Sequence, residues 1–283
     1  MINNLNSNVQ QMSTPRRGIW IILKKKQDGR NDDNVKLTCL GCWGAYPAGG
    51  SANSSFLLEE EQFYLLVDCG SGVLSQLGKV IPIESLSALI LSHYHHDHVA
   101  DIGCLQYAML IQNQLGKRDK PLPIYAHGEG ENLFHTLSYK HYTEARRIFA
   151  EQAIQIGPWK VEFCPTRHTA YCLAVKFTGN NHTLVYTADT GWSDELIDFA
   201  KGADTMICES SLYKDQKDLV QGHMTAAEAG ELAEKAGVKQ LILTHFPHYG
   251  NQQELQEQAE EVFSGSVELA KEQKIWIFGN TLL

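Results

Sequence analysis

A chain of 283 residues with 43% hydrophobic side chains has the length for one large α/β domain and excludes a disordered segment. Its formal net charge is −9, but six Lys/Arg and three Asp fall in residues 1–34, which leaves 18 basic and 30 acidic residues, a charge of −12, for the rest. A body that acidic argues against binding of long nucleic acids, which depends on neutralising phosphates.

Residues 1–34 are rich in Asn, Gln, Lys and Arg and read as a mobile extension, with the domain itself over 35–283. A valine at 35, preceded by Gly29-Arg30, fits a start codon behind a purine-rich ribosome-binding sequence. The apolar island from Gly18 to Leu23 is too short for a signal core or a membrane span, so a cytoplasmic protein without membrane contact is expected. From Val35 short strands alternate with helices. Residues 55–58 and 63–67 pair around a Glu-Glu-Glu-Gln turn, a helix starts near Gly72, and 87–91 is a buried strand. Val99, Ile102, Leu105, Met109 and Leu110 recur with helical period through 99–115. A strand at 123–126 and a weaker helix at 129–142 follow. Strands at 161–165, 171–177 and 183–188 come next, then a helix at 193–200 and a strand at 205–208. Thr225 caps a helix over 225–236 in capping-box order, with Gly237 beyond its end. A strand at 240–243, a helix at 252–263 and a strand at 275–278 complete the chain.

Seven cysteines lie mostly in apolar runs, as reduced buried thiols do. Cys39 and Cys42 have C-x-x-C spacing, but there is no second such pair to complete a zinc knuckle. Pro47, Gly49 and Gly50 announce a loop, not the helix that a redox pair opens. Two thiols at a strand end is the favoured reading.

The sharpest chemical signal is Leu91-Ser-His93-Tyr-His95-His96-Asp97-His98, where an apolar strand stops and metal-binding groups crowd together. In an extended turn His93 and His95 can converge on one ion, with Asp97 and His98 facing a second. His96 falls on the opposite side of the turn and supports rather than ligates.

This His-x-His-x-Asp-His pattern resembles the signature of the metallo-β-lactamase superfamily. The matching positions continue in order: Asp68 ending an early strand, then His168, Asp189 and His245. The resemblance implies a four-layer αβ/βα sandwich in one domain, class α/β. It also implies two divalent ions, Zn²⁺ first with Mn²⁺ or Fe as alternatives. His93, His95 and His168 would hold one; Asp97, His98 and His245 the other; Asp189 would bridge them. Within the superfamily the chain is most similar to the ribonuclease Z group, through Ile-Cys-Glu209-Ser-Ser and Gly222-His223-Met-Thr225. That likeness implies Glu209 orienting His223 as general acid, with Asp97 able to take the proton of the attacking water. A homodimer is compatible with it.

The ribonuclease Z arm that grips transfer RNA is inserted between the third metal histidine and the bridging Asp. Here His168 and Asp189 are 21 positions apart, room for two strands and a Gly-Asn-Asn turn only. The expected activity is therefore hydrolysis of a small phosphodiester, a cyclic nucleotide or short oligonucleotide, by a hydroxide shared between the ions. The alternatives are a transfer RNA 3′-processing endoribonuclease and a thioester or lactone hydrolase. Two further expectations are secondary: His248 facing either substrate or solvent, and Arg146 with Arg147 on a charged helix face, solvated or reaching a phosphate as part of a lid.

Overall fold

The computed structural model describes residues 34–179 and 181–279. The mobility expected for residues 1–34 falls outside these except at Asn34. The first sheet is built from β1 (Val35–Gly41), β2 (Ser55–Glu60), β3 (Phe63–Val67), β4 (Ala88–Ile90), β5 (Leu122–His127) and β6 (Thr143–Ile148), in that order. The second contains β7 (Ile154–Ile156), β8 (Trp159–Pro165), β9 (Leu173–Thr178), β10 (Thr183–Tyr186), β11 (Thr205–Glu209), β12 (Gln240–Thr244) and β13 (Ser266–Leu269), also in order. The last strand, β14 (Ile275–Phe278), crosses back to pair antiparallel with β1. In each sheet an antiparallel half passes into a parallel one: β3 to β6 in the first, β10 to β13 in the second.

Alternation along the strands explains the layers. Leu65 and Val67 join the core between the sheets, whereas Leu66 joins a separate cluster on the outer face. Ala88 and Ile90 divide from Leu89 and Leu91 in the same way. A strand buried on both faces reads as a continuous apolar run, as β4 does. The outer cluster is closed by α1 (Val73–Leu77), α3 (Ile102–Gln114) and α4 (Glu131–Thr136), while a four-residue helix, α2 (His96–Val99), carries part of the histidine motif. On the second sheet α5 (Asp194–Ala200), α6 (Ala226–Ala236) and α7 (Gln252–Glu260) lie against β8, β9, β11, β12 and β13. This is the expected four-layer αβ/βα sandwich. No helix of the described residues is long and apolar enough to cross a membrane.

Two expectations need correction, and two short strands went unread. The helix read over 129–142 shrinks to Glu131–Thr136, started by a left-handed Gly130, and the chain then turns. Arg146 and Arg147 lie on no helix: they belong to β6, an edge strand parallel to β5. Its sequence, Thr-Glu-Ala-Arg-Arg-Ile, buries only its first and last residues, so the alternation that marks a strand is missing. The short edge strands β7 and β13 escape the sequence reading for the same reason: three or four residues carry too little period.

The best-defined helix start is that of α6. Thr225 accepts a hydrogen bond from the Glu228 amide at 3.1 Å, and the Glu228 carboxylate accepts one from the Thr225 amide at 3.0 Å, both groups being buried. Thr225→Ala is expected to cost about 1 kcal/mol of stability. A urea titration of metal-free protein checks this; an unshifted midpoint would mean that the helix start is held by packing alone.

Candidate metal centre

The parallel strands point their carboxyl ends toward one edge of the sandwich, where open α/β sheets bind ligands. Asp68 follows β3 and Ser92-His93 follow β4; Asp189 follows β10, Glu209 ends β11 and His245 follows β12. Three of the turns leaving these strands pass through left-handed residues that are not glycine: Asp68 (φ 58°), Ala188 (φ 52°) and His245 (φ 59°). Such conformations cost about 1–3 kcal/mol each and persist where surrounding contacts impose them.

All the sequence-predicted ligands meet here. His93, His95, His168 and Asp189 form one group whose candidate ligand atoms lie within 4.8 Å of one another, and Asp97, His98, Asp189 and His245 form a second. Asp189 belongs to both. In the first group His168 Nε2 is 2.9 Å from His95 Nδ1, and Asp189 Oδ2 is 3.8 Å from His93 Nε2. In the second, His245 Nε2 stands 3.2 Å from Asp97 Oδ2 and 3.3 Å from Asp189 Oδ2, and His98 Nε2 is 3.3 Å from Asp189 Oδ1.

These residues fit divalent cations on the structure's own terms. Nε2 of His93 and Nε2 of His98 are buried and make no hydrogen bond, although each lies near the Asp189 carboxylate. A buried nitrogen without a partner costs free energy, which coordination would recover. Four of the five imidazoles are also oriented through the other ring nitrogen. His98 Nδ1 meets Asp68 Oδ2 at 2.8 Å, His168 Nδ1 the Gly222 carbonyl at 2.9 Å, His245 Nδ1 Ser211 Oγ at 2.8 Å, and His93 Nδ1 Ser92 Oγ at 3.1 Å. Partners of this kind fix the tautomer and aim the remaining lone pair.

Electrostatics agrees. Burial and the neighbouring His98 push the His93 pKa well below the usual imidazole range, keeping it a neutral donor. Burial also acts to lower His98, but the carboxylates of Asp189 and Asp68 outweigh it and hold His98 well above that range, a demand for positive charge that a cation would meet in place of the proton. Burial would raise Asp97 and Asp189; contacts with His245 and His98 prevail and keep both carboxyls ionised.

A third group adjoins the second: Glu209, His223 and His245. His223 Nδ1 lies 3.0 Å from Glu209 Oε1, and the His223 ring stacks 5.4 Å from His245 and stands edge-on 5.2 Å from His168. The sequence reading missed the residue that ties this group together. Ser211 donates to Glu209 Oε2 at 2.6 Å while its Oγ sits 2.8 Å from His245 Nδ1 and 3.3 Å from His223 Nδ1. Its only signal in the sequence is its place two residues after Glu209, within the Glu-Ser-Ser segment that carries the ribonuclease Z likeness. Tyr186, whose hydroxyl donates to Asp68 Oδ2 at 2.9 Å, was equally silent within an apolar strand.

The loop after β1 flanks the centre. A side chain on Gly44 would lie 2.7 Å from the His245 ring, so only glycine fits there. The Ala45 amide donates to Asp97 Oδ2 at 2.9 Å. His96 is exposed and in neither group. Arg146 pairs with Glu144 at 2.8 Å and lies over Tyr125; Arg147 lies over Phe134. Cys39 and Cys42 are buried and unbridged in the inter-sheet core.

A sandwich of two mixed sheets with paired His/Asp groups at one edge defines a class of metal-dependent hydrolases. Residues 64–246 match the family model described as the beta-lactamase superfamily domain, and the chain belongs to that superfamily of hydrolytic enzymes. It is 43% identical to the probable metallo-hydrolase YhfI of Bacillus subtilis, over 86% of this chain and 99% of that protein. The crystal structure of YhfI superposes with a TM-score of 0.85, covering 87% of this chain and 100% of that one at 43% identity. A ribonuclease Z of Mycobacterium bovis is 28% identical over 84% of this chain and 96% of its own length. The short form of human tRNase Z shares the fold at 21% identity and a TM-score of 0.66, covering 85% of this chain and 98% of that one.

Asp68→Asn removes the charge that orients His98 and is expected to weaken metal binding about 10- to 100-fold. Competition against a chelating dye measures this, and an undiminished affinity would show that His98 is held by other contacts.

Proposed function

We propose that this hydrolase cleaves small phosphodiesters, cyclic nucleotides or short oligonucleotides, with two divalent ions, Zn²⁺ first among them. The observation that carries the reading is the Glu209–His223 pair standing beside the metal-holding groups. Thioester hydrolysis expels a thiolate, which leaves without a proton and so has no need of a buried carboxylate aimed at an imidazole. A departing alkoxide does need a proton, and an imidazole is suited to give one. Divalent ions held by these residues would neutralise phosphate oxygens and lower the pKa of an attacking water.

The chain's own groups then have distinct tasks. Burial alone would lower His223, but the Glu209 carboxylate, by charge and hydrogen bond, raises its pKa to about 9. His223 is therefore protonated at neutral pH, with Nδ1 engaged by Glu209 and Nε2 left to deliver a proton. Asp97 stays ionised, positioned by the Ala45 amide, and is the side chain placed to accept a proton from the water.

The space between His168 and Asp189 favours small substrates. Strands β9 and β10 pair antiparallel from Val175–Tyr186 to Thr178–Thr183, so a tight hairpin stands where a transfer RNA arm would be inserted. The acidic body agrees with substrates shorter than folded RNA. Assays of bis-p-nitrophenyl phosphate, a thioester and precursor transfer RNA side by side separate the three readings, and turnover of the thioester alone overturns this one.

His223→Ala is expected to keep its metals but lose about 10²–10⁴ in rate on a diester with a poor alkoxide leaving group. A p-nitrophenolate ester needs little protonation and should lose much less. Equal losses on both would assign His223 to substrate or metal binding instead. Glu209→Gln should reproduce the pattern more weakly.

The same pair predicts a pH dependence. Because the His223 pKa is raised, its proton is present below the usual imidazole pKa and lost only as pH rises through about 9. Turnover of the poor-leaving-group diester should therefore fall on the alkaline side near that value, and Glu209→Gln should move the fall to lower pH. A fall that stays in place in this variant would trace it to another group.

A further inference from the structure

The loop after β1 places an aromatic stack at the rim of the centre. His248 lies nearly parallel to Tyr46, with ring centroids 3.7 Å apart and planes within 6°, and nearly parallel to Trp43 at 4.7 Å and 11°. The backbone fixes this arrangement from several sides. His248 Nε2 donates to the Tyr46 carbonyl at 2.5 Å, and the Gly44 amide to the Phe246 carbonyl at 3.1 Å. Ala45 takes a left-handed conformation (φ 54°) while its amide holds Asp97. Tyr46 nevertheless remains 59% exposed, and Trp43 and His248 line a cleft of about 410 Å³ with Asn251 and Gln252.

The phenol ring is thus fixed by its stack on His248 yet left open to water. Its backbone sits one residue, about 3.8 Å between Cα atoms, from the amide that holds a metal-binding carboxylate. Tyr46 thus directly follows the residue whose amide touches the centre, which puts the stack at its rim. Rigid stacked rings with one open face receive planar groups, and every nucleobase has a π-face to offer.

We propose that Tyr46, backed by His248 and Trp43, is the stacking platform for the nucleobase of the substrate. The inference rests on the phosphodiesterase reading and sharpens it: the substrate is a nucleotide diester, distinguished from alkyl diesters by its base. Stacking tolerates any base, so purine and pyrimidine are both received.

The test is titration calorimetry of the metal-loaded full chain with adenosine 5′-monophosphate and with ribose 5-phosphate, which differ only by the base. Wild-type protein is expected to bind the nucleotide about tenfold more tightly. Tyr46→Ala should bring the ratio near one, and Tyr46→Phe, which keeps the ring, should preserve it. Equal affinities in the wild type, or a preference that survives Tyr46→Ala, overturns the platform. Turnover separates the two readings. A base preference abolished by Tyr46→Ala, with no diester hydrolysed, supports the platform and overturns the diesterase. Diester hydrolysis without any base preference overturns the platform and leaves the diesterase standing.

Discussion

Where the two sheets meet, the Asp68 carboxylate has no access to water. A buried charge is tolerated only when its lone pairs are answered, and here all the donors come from fixed positions. Oδ1 accepts the Ser92 amide at 2.8 Å; Oδ2 accepts the Ser92 and Tyr186 hydroxyls at 2.9 Å each and faces His98 Nδ1 at 2.8 Å. Ser92 and His98 belong to the first sheet's motif, Tyr186 to the second sheet. One carboxylate thus locks the turn that carries the histidines, ties it across the interface and chooses the tautomer of His98. The geometry of both His/Asp groups follows from that lock.

The proton-handling pair is joined to the same framework from the other side. Glu209 accepts the Thr190 amide at 2.7 Å, next to Asp189, as well as the Ser211 hydroxyl and His223. Ser211 in turn touches His245. The charge that raises His223 is therefore part of the structure that positions Asp189, shared by the two groups, and the last histidine. A substitution at Glu209 acts on both, which is why its effect must be read through leaving-group dependence rather than through total rate.

How far the sequence foretold this differs by kind of residue. His93, His95, Asp97 and His98 were legible because local spacing alone brings them together. His168, Asp189 and His245 were legible only through the resemblance, by matching the superfamily's pattern in order along the chain. The four layers were expected from the superfamily resemblance and the alternation of strands with helices, and the strands buried on both faces agree with them. Ser211, Ser92 and Tyr186 were not legible, since a hydroxyl acquires its meaning only from distant partners: Tyr186 meets Asp68 across 118 positions. Strand β6 was hidden because an edge strand needs little apolar surface, and its Arg and Glu imitate a solvated helix face. The stack of Trp43, Tyr46 and His248 joins residues more than 200 positions apart, with 202 between Tyr46 and His248.

Asp97 and His245, which face each other across the second group, are separated by 148 positions. At a synthesis rate of about 5–20 residues per second, His245 leaves the ribosome roughly 7–30 s after Asp97. Through that interval the nascent chain carries the motif at 93–98 without the residue that completes the second group. The second group is thus assembled only once β12 has been made and the second sheet lies against the first.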